Sequence, residues 1–164
     1  MSSTRQQPSP PDPPRRAGRI LSIDYGRKRI GLAISDERGV IARPLATLQR
    51  TNLRDDLRRL GEIVRQHDVR LIVVGHPLKL DGTRGEMAAE TEAFAARIGK
   101  EYGLRVERVD ERLTSHEAEE MIAKGLSVRR RRSAGKKSKG APGVDAVAAA
   151  VILRDYLARP GGSG

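Results

Sequence analysis

Three acidic positions far apart in the chain, Asp24, Glu111 and Asp145, are of the type that holds a divalent cation when a fold brings them together. Asp24 ends an apolar run, Ile20-Leu21-Ser22-Ile23, where a carboxylate is costly unless it is paired or bound to metal. Asp110 and Glu111 end a second run, and Asp145 opens the last helical stretch. Neighbouring strand residues face opposite ways, so only one of Asp110 and Glu111 joins such a site. Glu111 is the preferred ligand and Asp110 the structural residue. Plainer roles exist: Asp24 could cap a turn ahead of Gly26, and an acid in the first turn of a helix is favoured by the helix dipole. As a group, the three carboxylates would hold one or two ions that deprotonate water, polarise a scissile phosphate and stabilise the leaving oxygen. In the two-ion version Asp24 bridges both ions, and Glu111 and Asp145 complete the shell.

The surroundings of these acids are cationic. The formal net charge is +11 over 164 residues. Residues 127–140 hold Arg129, Arg130, Arg131, Arg132, Lys136, Lys137 and Lys139 with no acid among them. Such a run attracts polyanions with salt-dependent, sequence-blind affinity; a solubilising loop is the plainer reading. Arg27, Lys28 and Arg29 follow Asp24 at once and are candidate phosphate contacts, or else solvated turn charges. His76 and Arg112 are further candidate contacts with substrate. The chain has no cysteine and only three widely spaced histidines, so neither disulfides nor a zinc signature is expected. Oxygen ligands alone favour Mg2+ or Mn2+. No apolar run is long enough to span a membrane, and no signal peptide is evident. A cytoplasmic location is expected.

The elements that must position these residues can be read from periodicity. Residues 1–18, with five prolines between Pro8 and Pro14, read as a disordered leader, residues 19–158 as one domain, and 159–164 as a flexible tail. Strands are expected at 19–24, 29–35 and 39–47, the first two joined by a hairpin through Tyr25–Lys28. Leu53, Leu57, Leu60 and Val64 have helical spacing and predict a helix over 52–67, capped by Asn52 or Thr51. Leu71-Ile72-Val73-Val74 fits a strand buried on both faces. Helices near 85–100, 115–124 and 143–158 and a strand at 104–109 complete the pattern. The last helix is expected to turn Val144, Val147, Ala148, Val151 and Ile152 to the core. A three-stranded meander followed by alternating helices and strands predicts an α/β fold, a mixed five-stranded sheet with helices packed on it. With one Phe, three Tyr and no Trp, its core must be aliphatic.

Four stretches, in order along residues 19–158, resemble the YqgF/RuvX family, described both as Holliday junction resolvases and as pre-16S rRNA nucleases. They are Asp24-Tyr25-Gly26 with Arg29-Ile30-Gly31-Leu32-Ala33; Gly75-His76-Pro77-Leu78 with Asp81-Gly82-Thr83; Asp110-Glu111-Arg112-Leu113-Thr114; and Lys139-Gly140 leading to Asp145 with Ala148-Ala149. The resemblance implies a ribonuclease H-like fold, an acidic metal centre matching Asp24, Glu111 and Asp145, and a role in maturing the 5′ end of 16S ribosomal RNA. Precursor 16S rRNA, free or within the pre-ribosome, is then the partner. His76 departs from the family, which usually has an apolar residue there.

A junction resolvase acting on branched DNA could use the same centre, as a symmetric dimer; an RNA-processing enzyme could work as a monomer or weak homodimer. A non-enzymatic RNA-binding module is disfavoured by the three acids, which repel a phosphate backbone unless metal intervenes. A sugar-kinase or actin type of fold shares the opening strand-Asp-Gly arrangement, but the chain is too short for its two lobes.

Overall fold

The computed structural model describes residues 18–76, 85–110 and 143–159. Along these run β1 (Arg19–Tyr25), β2 (Arg29–Ser35), β3 (Ala42–Gln49), α1 (Leu53–Gln66), β4 (Val69–His76), α2 (Glu86–Tyr102), β5 (Arg105–Asp110) and α3 (Val144–Ala158). The strands form one sheet in the order β3-β2-β1-β4-β5. β1, β2 and β3 form the expected antiparallel meander, whereas β4 and β5 run parallel to β1. The carboxyl ends of β1, β4 and β5 therefore share one edge, the edge at which α/β folds commonly place their chemistry.

The hairpin between β1 and β2 is tight. The Gly26 amide donates to the Arg29 carbonyl at 3.0 Å, and a β-carbon on Gly26 would stand 2.6 Å from that oxygen. Only glycine fits this approach. β3 starts three residues later than its spacing predicts. The Asp36 carboxylate accepts from the Val40 and Ile41 amides at 2.7 and 2.9 Å, and Gly39 takes φ +66°. That side-chain-closed turn consumes the residues read as strand. The same bonds, from Ile41 above all, hold the Asp36 carboxyl below its ordinary pKa. Asn52 caps α1, its side chain accepting from the Asp55 amide.

Side-chain alternation divides the core between two faces. Leu21, Ile23, Ile30, Leu32, Ile72 and Val74 pack under α1 and α2, against Leu57, Leu60, Phe94 and Ile98. Ile20, Ala33, Val73 and Val109 pack under α3, against Ala149, Ile152, Leu153 and Tyr156. The buried face of α3 only partly follows the stripe its spacing suggests: Val151 and Ile152 are buried as expected, but so are Ala146, Ala149 and Leu153, and Val144 is exposed. An almost wholly apolar helix has no polar side to mark its orientation. The helix expected at 115–124, the basic run at 129–140 and nearly all of the leader and tail lie outside the described residues.

Candidate metal centre

Asp24 stands on the α3 face of the sheet. It shares the phase of Ile20, which packs beneath that helix, and is opposite in phase to Leu21 and Ile23 on the other face. Its register partner on β2 is Gly31, whose own partner on β3 is Thr47. Partners in an antiparallel pair point to the same face. The row Asp24–Gly31–Thr47 therefore forms a track across three strands.

The first turn of α3 crosses that track in close contact. A β-carbon on Gly31 would lie 1.9 Å from the Asp145 carbonyl oxygen and 3.0 Å from the Ala146 amide nitrogen. One on Gly143, the N-cap, would lie 2.8 Å from the Thr47 hydroxyl. The missing side chains of Gly31 and Gly143 let the helix start rest on the sheet backbone. Asp145 is thereby brought beside Gly31, and Gly31 is the neighbour of Asp24. The backbones at two of the three acids expected at the site are thus brought near each other, although 121 positions separate them in sequence.

Arg29 completes the cluster. It opens β2 on the phase of Gly31 and Ala33, and so on the α3 face. Its Nε donates to Asp145 Oδ2 at 2.9 Å, with the two side chains 53% and 30% exposed. Asp145 also sits in the first turn of its helix, where the dipole favours a negative charge.

The other predicted residues are placed differently. Asp110 and His76 are register partners at the ends of β5 and β4. Both share the phase of Val106, Ile72 and Val74, which pack on the α1/α2 face. His76 is buried, its Nδ1 without a hydrogen-bond partner among the described residues. Asp110 thus falls in phase with the face opposite Asp24. Glu111 and Arg112 lie outside the described residues, as do Arg129, Arg130, Arg131, Arg132, Lys136, Lys137 and Lys139. Arg27 is engaged with α2, pairing with Glu90 at 3.1 Å and Glu86 at 3.3 Å. The bond to Glu90 is the main cause of the upward shift of its pKa. Lys28 is exposed in the turn.

Sequence reasoning missed Arg50. Its guanidinium donates to the Gly26 and Arg27 carbonyls at 3.2 and 3.3 Å, lies 4.8 Å from the Tyr25 ring centroid and meets Asp56 at 3.4 Å. It ties the turn after Asp24 to the start of α1. A lone arginine between a strand and a helix gives no motif by which to find it.

The donor set suits a hard divalent cation. Asp24 and Asp145 supply only carboxylate oxygens, the Gly31 contact fixes the backbone of one beside the other, and a cationic group already rests on Asp145. Among the described residues no cluster of three potential ligands forms; the third expected ligand, Glu111, is outside them.

Comparison with known proteins places the chain in a family. The RuvX family profile, described as Holliday junction resolvase, matches residues 18–159. A protein of Syntrophus aciditrophicus, provisionally named a pre-16S rRNA nuclease, is 43% identical over 140 residues, spanning 85% of this chain and 87% of its own. One of Koribacter versatilis with the same name is 41% identical over 145 residues, spanning 88% and 89%. Among solved structures, Thermus thermophilus RuvC bound to a Holliday junction substrate superposes with a TM-score of 0.51 at 18% identity, covering 85% of this chain and 93% of that one. Fowlpox virus resolvase bound to junction DNA gives 0.52 at 13%, covering 85% and 96%. These last two share the fold, which is ribonuclease H-like, as the resemblance implied. With the family profile matching residues 18–159 of its 164 residues, the chain belongs to the RuvX family.

Proposed function

We infer that the protein is a divalent-metal-dependent endonuclease that hydrolyses phosphodiester bonds in maturing the 5′ end of 16S ribosomal RNA. The carrying observation is the convergence of Asp24 and Asp145 over Gly31, at the carboxyl edge of the parallel strands. The naming of relatives above 40% identity as pre-16S rRNA nucleases supports the choice of substrate.

Asp24, Glu111 and Asp145 would hold Mg2+ or Mn2+, which supplies an activated water and neutralises charge developing on the phosphate. Asp24 is held rigidly by β1 and Asp145 by the seat of α3 on Gly31, so the two ligands are preorganised. Arg29 sits where a phosphate oxygen beside the centre would meet a guanidinium. The seven cations of residues 127–140 supply the sequence-blind attraction for the RNA backbone. The protein acts in the cytoplasm, on the free precursor or the pre-ribosome, and one protomer suffices for a single RNA strand. Among the described residues no helix is long and apolar enough to cross a membrane.

Cleavage of a 5′-extended 16S precursor by the purified protein with Mg2+ or Mn2+, beside Asp24→Asn, tests this reading. Cleavage that disappears in the variant and with chelator is expected. The family's description as Holliday junction resolvase favours a second reading, in which the same centre cuts branched DNA. A four-way DNA junction in the same assay separates the two. Cutting of the junction and not of the RNA would replace the first reading by the second.

A further inference from the structure

We propose that Arg29 is a built-in competitor for the cation position on Asp145. Its guanidinium holds the Asp145 carboxylate in the metal-free protein and leaves it when a divalent ion binds. The inference rests on the metal centre argued above and adds a device that sets how readily that centre fills.

The geometry supplies a fixed acceptor and a movable donor. Asp145 is fixed because its backbone is seated on Gly31, where even a single β-carbon would not fit. Arg29 is fixed only at its backbone, where it pairs in register with Gln49 at the edge of the track. Beyond that, its flexible side chain reaches Asp145 Oδ2 through Nε at 2.9 Å. More than half of the Arg29 side chain is exposed and Asp145 is partly so. An exposed ion pair of this kind is weak, and the guanidinium has solvent to move into.

A carboxylate oxygen that accepts from Arg29 has a lone-pair site occupied that a metal ion would use. A divalent ion on Asp145 would also lie close to a like charge if the guanidinium stayed. Both effects predict exchange rather than coexistence. Arg29 is separated from Asp24 by only the hairpin, so once released it remains beside the centre, where an incoming phosphate would meet it. Metal binding and substrate binding are coupled through this side chain.

Titration of the full-length chain with Mn2+, followed by the electron paramagnetic resonance of the free ion, tests the proposal. Arg29→Gln, which keeps a polar chain and removes the charge, is expected to bind Mn2+ about two- to fivefold more tightly than the wild type, the range an exposed pair allows. Arg29→Lys, which keeps the charge, is expected to bind close to wild type, and Asp145→Asn more weakly. Unchanged or weaker binding in Arg29→Gln overturns the proposal while leaving the metal centre standing. Absence of Mn2+ binding by the wild type removes both. A readout on the unmutated chain guards against a variant that folds poorly. The Nε–H resonance of Arg29 should shift on addition of Mg2+, and a resonance that stays in place through saturation overturns the proposal as well.

Discussion

The backbone of Asp145 lies so close over Gly31 that a β-carbon at position 31 would stand 1.9 Å from the Asp145 carbonyl oxygen. Backbone, not a flexible chain end, blocks the space, so Gly31→Ala forces the first turn of α3 to lift by more than an ångström. Overpacking of this kind costs about 1–3 kcal/mol. A misplacement near 1 Å in a reacting group reduces turnover by about 100-fold. Thermal melting and the precursor cleavage assay read the two effects separately. Cleavage should fall far more than stability does. A variant that cuts like the wild type would detach the helix start from the chemistry.

Asp56 is a second fixed point. It is 2% exposed, and it meets Arg59 at 2.7 Å, Arg50 at 3.4 Å and the Thr51 amide at 3.2 Å. Arg50 in turn holds the Gly26 and Arg27 carbonyls. Asp56→Ala removes the acceptor shared by two arginines that are themselves 21% and 27% exposed. Breaking a buried ionic network costs about 3–5 kcal/mol, and the partly exposed arginines place the loss near the lower figure. Urea denaturation should show it as a lower midpoint with an unchanged slope. A loss below about 1 kcal/mol would mean that the turn after Asp24 is held without this network.

The sheet was legible because its strands are short apolar runs, one of them apolar throughout, bounded by Gly, Pro and charged residues. The hairpin from Tyr25 to Lys28 was legible from its length alone. Asp24 stood out as a carboxylate ending such a run. The seat of Asp145 on Gly31 was not legible. It joins positions far apart in sequence, and a glycine in a strand does not reveal what approaches it. The buried face of α3 was read only in part, Val151 and Ile152 being buried as expected and Val144 exposed, because nearly every side of it is apolar. The start of β3 was missed because Asp36 closes a turn with residues that look like strand. Arg29 was read as a phosphate contact or a solvated turn charge, and its bond to Asp145 could not have been inferred without the register of β2.

Tyr102 links α1 to α2, its hydroxyl donating to the Leu57 carbonyl at 2.6 Å. Burial, with a smaller contribution from Glu101, pushes its pKa up to about 12. The folded state thus favours the neutral phenol. Its stabilising contribution is complete below the unfolded value near 10 and is lost as pH rises through about 12. Tyr102→Phe should lower stability at neutral pH by about 1 kcal/mol, the worth of one hydrogen bond. It should also flatten the decline in melting temperature between pH 10 and 12. Parallel pH profiles of wild type and variant would place the decline elsewhere.

The basic run has a consequence that a salt titration can read. Arg129, Arg130, Arg131, Arg132, Lys136, Lys137 and Lys139 carry no compensating acid among residues 127–140. Each cation that neutralises a phosphate of a single strand contributes about 0.7 to the slope of log affinity against log salt, and about 0.9 for a duplex. Replacing all seven by Gln should weaken RNA binding at low salt and reduce that slope by up to about 5 for single-stranded RNA. Because the seven side chains carry no carboxylate that could ligate an ion, Mn2+ affinity without RNA should change little. Equal slopes for wild type and variant would mean that the RNA backbone is gripped elsewhere. The exposed Lys28 and a displaced Arg29 are then the first residues to examine by the same titration.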